Sequence, residues 1–466
     1  MKSRWFALEV FSLLSFLFCA LALADDIPTN VSFSRRAITP FAIEGLTMDA
    51  TGNFYTTGRQ PDTNKKCPVW RISQNGSRVT VGFIPNQGPF NGSPPSTPPT
   101  TAPCNPSGLT FDSVGNLYVA DAAVIKGVAG FIWKVTPDAK GCASDDSTDS
   151  ACAKIVASTA SSPSVPFASA VPGANGLAFD RDDNLWTGDG VTGLGRVWEI
   201  TGPGANCDPN ALSNCKEAFR VQAMANDVNA PGVANVGSDR RALPGGTIGT
   251  VIVAFSSAET TPGSITFRTA TNTGNSQAIV ANGVAFNNAG DLFVADTARG
   301  AIWKVEFDSK GNIKSPMGCD TTFTANTLCL NNIFVQHALL EGTDGIALDN
   351  KGNIWNDANE RNAVVVVSNN GEVIEVFRNP VNSSGLRNSA DTAQGNTTIL
   401  EFPTSPFLLG KQFCTSMSDN NRRDNFPQSG GEINAGRTPL TDPGNRGKIS
   451  CMDQELKVPG LKLPVH

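Results

Sequence analysis

The stretch NGVAFNNAGDLFVAD, residues 282–296, decides the fold, because near-copies of it recur along the chain. The others read EGLTMDATGNFYTTG from Glu44, SGLTFDSVGNLYVAD from Ser107, NGLAFDRDDNLWTGD from Asn175 and DGIALDNKGNIWNDA from Asp344. Each begins with a residue that changes, then Gly, a short apolar strand, a turn and a second, aromatic-rich strand. Period-two alternation runs through both strands. The turns DATGN, DSVGN, DRDDN, NNAGD and DNKGN start on Asp or Asn and carry Gly or Asn near their end, where a positive φ is tolerated. Every copy therefore opens on a tight hairpin.

Third strands follow as PVWRIS, FIWKVTP, RVWEIT, AIWKVEF and AVVVVS, and fourth strands as RVTVGFI, AKIVAS, EAFRVQ, IFVQHA and EVIEVF. Four antiparallel strands per unit make the blade of an all-β propeller. The changing residues are separated by 63, 68, 107 and 62 positions, so the third step holds either one long insertion or an extra blade without the phrase. Strand-like runs in residues 245–270 favour the extra blade. A last unit begins near Ser405, with SPFLLG, KQFCTSMS and KISCMD as strands, and brings the expected total to seven blades, with six as the alternative. NVSFSRRAITP, near the mature N-terminus, is expected to pair into the last blade and remove its exposed edge.

Charged residues make up 17% of the chain and the net charge is −6, without long runs, which argues against nucleic acid as a partner. Residues 1–24 read as a secretory signal: Lys2 and Arg4, an apolar stretch over residues 10–23, then Ala22-Leu23-Ala24 before Asp25. The expected mature chain is residues 25–466, a single propeller domain that is secreted or periplasmic and not membrane-bound after signal cleavage. Losing Cys19 leaves ten cysteines, an even number that suits an oxidising compartment. They fall as sequential neighbours: Cys67 with Cys104, Cys142 with Cys152, Cys207 with Cys215, Cys319 with Cys329 and Cys414 with Cys451. Zinc is disfavoured, since there is no C-x-x-C pair and the only histidines are His337 and His466.

The changing column is the candidate site. First strands line the channel of a propeller, so the residues before equivalent glycines share one level around the axis. Glu44, Asn175, Asn282 and Asp344 offer carboxylate and carboxamide oxygens, hard donors that suit Ca²⁺ or another divalent cation. The ordinary alternative is turn chemistry, in which Asn or Asp precedes Gly with no ligand at all. Asp121, Asp189 and Asp296, after the second strands, read as caps, and the recurrent Trp70, Trp133, Trp198 and Trp303 as packing between blades.

With these phrases and this column, the chain resembles the senescence marker protein/gluconolactonase (regucalcin-like) propellers and, more distantly, paraoxonase and diisopropyl fluorophosphatase. The phrases GLAFD and GNLYVAD are shared with NHL-repeat propellers and indicate architecture alone. The resemblance implies an axial metal, commonly calcium, held in chain order by Glu, Asn, Asn and Asp, which fall here on Glu44, Asn175, Asn282 and Asp344. It implies a hydrolase of lactones or related esters, with Asp344 as the base. Paraoxonase-type enzymes lean on histidine, whereas His337 falls in an expected fourth strand. The competing reading is a non-catalytic NHL-like propeller that binds a protein or glycan ligand. A strictosidine-synthase-like or lyase propeller would keep the fold and change the reaction.

Overall fold

The computed structural model describes residues 26–29, 31–60, 62, 64–86, 104–122, 130–155, 166–190, 194–222, 242–243, 247–248, 281–321, 323–340, 342–359, 362–378, 399–400, 402–418 and 447–462. The expected signal, residues 1–24, lies outside them. Among the described residues no helix is long and apolar enough to cross a membrane.

The hairpin turns repeat atom for atom. Oδ1 of Asp49 accepts the amides of Thr51 and Asn53; Asp112, Asp180, Asn287 and Asp349 do the same for the residues two and four places on. A side-chain oxygen thereby satisfies backbone donors that the turn leaves without a partner, which is why Asp or Asn starts every copy. Gly52, Gly115, Gly290 and Gly352 take the positive φ, while in DRDDN it falls on Asp183, at φ 58°. The second strand adds a further tie: Tyr118 Oη, Trp186 Nε1 and Trp355 Nε1 each donate to the carboxylate of their own turn.

These hairpins grow into blades. Blade 1 contains Thr47–Met48, Phe54–Thr57, Cys67–Ile72 and Arg78–Ile84, and blade 2 contains Pro106–Phe111, Leu117–Asp121, Gly130–Val135 and Pro166–Val171. Blade 3 is Leu177–Phe179, Leu185–Gly188, Arg196–Ile200 and Cys215–Arg220. Blade 4 is Val284–Phe286, Leu292–Asp296, Ala301–Val305 and Ile333–Gln336, and blade 5 is Thr343–Leu348, Ile354–Ala358, Ala363–Val367 and Val373–Arg378. Blade 6 joins Pro403–Leu409, Gln412–Met417 and Lys448–Met452 to the N-terminal strand Phe33–Ile38, as expected of the latch.

The ring has six blades, which corrects the favoured expectation of seven. The inner strand Leu177–Phe179 of blade 3 packs directly against Val284–Phe286 of blade 4, and the inner strands of blades 6 and 1 meet to close the circle. A Cβ placed on Gly176 would lie 2.6 Å from Asn282 O and 2.8 Å from Gly283 Cα, so no blade fits between them. Of the run expected to form the extra blade, residues 245–270, the described part is Thr247–Ile248, which pairs with Ala242–Leu243 as a two-stranded ladder. The long step links the outer strand of blade 3, Cys215–Arg220, to the inner strand of blade 4, Val284–Phe286. A second correction concerns AKIVAS. Its described residues, 153–155, continue a short helical turn that Asp149 caps, and the fourth strand of blade 2 is instead Pro166–Val171.

All five disulfides join the expected sequential neighbours. Cores form where the faces of adjoining blades meet; the largest gathers Trp186, Val284, Phe293 and Leu348 from blades 3, 4 and 5. Trp70, Trp198 and Trp303 are fully buried in it and its neighbours. The Asp residues after the second strands act locally. Asp121 accepts from Asn105 N and Trp133 Nε1, Asp189 pairs with Arg196, and Asp296 accepts from Trp303 Nε1 and pairs with Arg299. Blade 1 has Gly58 at that position, pressed on the Trp70 ring, and Asp145, from the loop leading out of the third strand of blade 2, supplies the acceptor for Trp70 Nε1.

Candidate functional site

The constant glycine and the changing residue before it have one structural cause. A Cβ on Gly45 would lie 2.1 Å from Ser107 O, on Gly108 2.2 Å from Asn175 O, on Gly176 2.6 Å from Asn282 O, and on Gly283 2.5 Å from Asp344 O. Each glycine therefore gives the next blade room to approach, and no side chain fits there. Amides of Gly108 and Gly283 donate to the carbonyls of Asn175 and Asp344 at 3.2 and 3.1 Å. The residue before the glycine contributes its carbonyl to the ring and keeps its side chain for other work.

This geometry places Glu44, Ser107, Asn175, Asn282 and Asp344 at one level, and it identifies the sixth member. The Cβ test on Gly345 meets Thr404 O at 2.4 Å, so Thr404 completes the ring. It was not legible in the repeats because Ser405 stands where the other blades have Gly. At that junction hydroxyls replace the close glycine contact: Thr404 Oγ1 donates to Glu44 O at 2.8 Å, and Ser416 Oγ donates to the same carbonyl. Asn175, Asn282 and Asp344 occupy consecutive blades, and Glu44 stands opposite Asn282.

A second column, fifteen residues after the first, touches it. Asn282 Nδ2 donates to Thr297 Oγ1 at 3.0 Å, and Asn359 Nδ2 donates to Asp344 Oδ2 at 2.8 Å. Gly190 packs against the Asn175 side chain, where its own Cβ would lie 2.9 Å from Nδ2, and Arg59 forms an ion pair with Glu44. The signal for this column was present as a constant offset inside every repeat, but its residue types, Arg, Ala, Gly, Thr and Asn, share no chemistry that draws the eye.

The four expected ligands fit a hard cation by donor type. In Asn282 the amide nitrogen donates to Thr297 Oγ1, and the Asn175 side chain packs on Gly190. Asn282 and Asp344 are 1% and 5% exposed, and Thr297 and Asn359 supply each with a hydrogen-bond partner. Among the described residues no three His, Cys, Asp or Glu side chains gather into a metal-holding group, because the ring has only two carboxylates and draws its other oxygens from amides. His337 is not part of the ring: it follows blade 4's outer strand, and its Nδ1 accepts the amide of Leu339.

Below the ring the channel turns apolar. Its wall is formed by residues such as Leu46, Leu109, Leu177, Val284, Ile346 and Pro406, around a cavity of about 90 Å³. Ligand pockets run from about 300 Å³ upward, so the channel cavity is smaller than a typical small-molecule site.

Residues 257–385 match the family model of the SMP-30/Gluconolactonase/LRE-like region, a segment that carries Asn282, Asp344 and Asn359. The resemblance read from the repeats is borne out. No curated protein matches the chain. Similar solved structures include a putative gluconolactonase, at 12% identity, covering 94% of this chain and 97% of that one, TM-score 0.45. A gluconolactonase from Xanthomonas campestris matches at 10% identity over 94% and 93%, TM-score 0.45. The calcium-binding protein regucalcin from Agrobacterium tumefaciens matches at 12% over 93% and 95%, TM-score 0.42.

Proposed function

We propose that the chain is an exported, calcium-dependent hydrolase of lactones or related esters, working at the mouth of the propeller channel. The observation that supports this reading is the ring itself: Glu44, Asn175, Asn282 and Asp344 stand at one level and each bears an oxygen-donor side chain, Glu44 paired with Arg59 and Asp344 bonded by Asn359. Ca²⁺, held by these four residues, would polarise the substrate carbonyl.

Asp344 acts as the base. Its carboxylate takes a proton from the attacking water as oxygen adds to the carbonyl carbon, then returns that proton to the alkoxide when the acyl–oxygen bond breaks. A lactone thus becomes a hydroxy acid with atoms and charge balanced. Asn359 Nδ2 fixes the plane of the Asp344 carboxylate.

The test is metal analysis of the purified protein, followed by a panel of lactones and aryl esters with and without chelator. Turnover that appears with calcium and vanishes with chelator is expected. In Asp344→Asn, kcat should fall at least about 100-fold with the melting temperature held. Equal turnover after chelation would sink the calcium reading, and a protein inactive on the whole panel would leave the binding propeller as the better account.

A further inference from the structure

Arg59 is the one charged member of the column that supports the ring. The equivalent positions carry Ala122, Gly190, Thr297 and Asn359, none of which competes with a cation. The Arg59 guanidinium pairs with Glu44, is 7% exposed, and its Nε donates to Pro106 O at 3.3 Å on the neighbouring blade. It is thus held across the junction of blades 1 and 2, with its charge on the very carboxylate that a metal would need.

We infer that Arg59 is a built-in counter-cation that occupies the Glu44 arm of the ring and that a divalent cation must displace. The inference rests on the calcium reading above and deepens it. Glu44 and Asp344 bring two negative charges, which Arg59 reduces to one. Calcium entering beside the guanidinium would leave the ring net positive, whereas calcium replacing it at Glu44 leaves the ligands balanced and moves the guanidinium toward the mouth. Like charges within a few ångströms in a poorly solvated site repel strongly, so the two cations exclude one another at this carboxylate. The expected consequence is a calcium affinity lowered by the cost of displacing Arg59, with the half-buried Glu44 carboxylate kept paired when calcium is scarce.

The experiment compares the parent with R59Q and R59K by calorimetric calcium titration and by melting curves with and without calcium. R59Q is expected to bind calcium at least about tenfold tighter than the parent, with a lower melting temperature in chelator and a larger rise on adding calcium. R59K keeps the charge and is expected to bind within a few-fold of the parent. If the parent binds calcium and R59Q binds it equally or more weakly, the inference falls while the calcium site stands. If neither binds, both fall together. An R59Q protein that folds only when calcium is supplied supports the inference, and one that stays unfolded at saturating calcium overturns it, because calcium then fails to stand in for the guanidinium.

Discussion

Replacing Gly176 by Ala tests the ring at the junction where the blade count was decided. The added Cβ would lie 2.6 Å from Asn282 O, 2.8 Å from Gly283 Cα and 3.0 Å from Val284 N, all backbone atoms of the next inner strand. No side chain can swing away, so the blades must part. Overpacking of this kind costs about 1–3 kcal/mol, and rigid backbone on the receiving side places it near the top of that range. Against this stands a gain of about 0.4–1 kcal/mol, because Ala loses less backbone freedom than Gly on folding. A net loss of about 2 kcal/mol follows. With an unfolding entropy of about 2.1 cal/mol/K per residue, a chain of this length would melt only about 2 °C lower, so urea unfolding should accompany the melts. Gly202→Ala is the control, since its nearest atom is Asn214 Nδ2 at 3.7 Å and it should be neutral or slightly stabilising. The sign tests the close approach itself: were no backbone packed on Gly176, Ala would show only the entropic gain. A Gly176→Ala protein as stable as Gly202→Ala would refute the close packing at this point.

Burial pushes the Asp357 carboxyl well above the ordinary value, and the hydrogen bond from Thr415 only partly opposes this. Its stabilising contribution is therefore complete below the unfolded value near 4 and is lost as pH rises through the folded value. Asp357→Asn should flatten the pH–stability curve, with a gain on the order of 1 kcal/mol at pH 8 and little change at pH 4; parallel curves would count against it. Among the disulfides, loop length sets the order: Cys67–Cys104 spans 37 residues and Cys207–Cys215 spans 8. Chain-entropy estimates give about 3.8 and 2.5 kcal/mol, so the double Ser variant of the first pair should unfold at lower urea than that of the second. Reversal of that order would point to strain or denatured-state structure instead.

The sequence by itself determined whatever is decided within one hairpin or one blade. Asp or Asn at each turn, Gly at the positive φ and alternation along each strand are local chemistry, so the repeats announced the propeller blades, and neighbouring cysteines announced their bridges. It also placed Glu44, Asn175, Asn282 and Asp344 in one column, since equal positions in equal blades share a level. Where local pattern was ambiguous the reading slipped: AKIVAS alternates as a strand does, yet its described residues continue a turn held by Asp149 and the Cys142–Cys152 bridge. Three matters were left to tertiary structure. Blade number depended on how closely Gly176 meets Asn282, a contact between residues 106 apart that no repeat encodes. Thr404 entered the ring through hydroxyl bonds to Glu44 O, because its blade lacks the glycine that marks the others. Arg59 found Glu44 only when the end of a second strand folded back beside the start of the first. In each case the deciding term is a close approach between backbones or a charge brought beside another, and such terms exist only after the ring has closed.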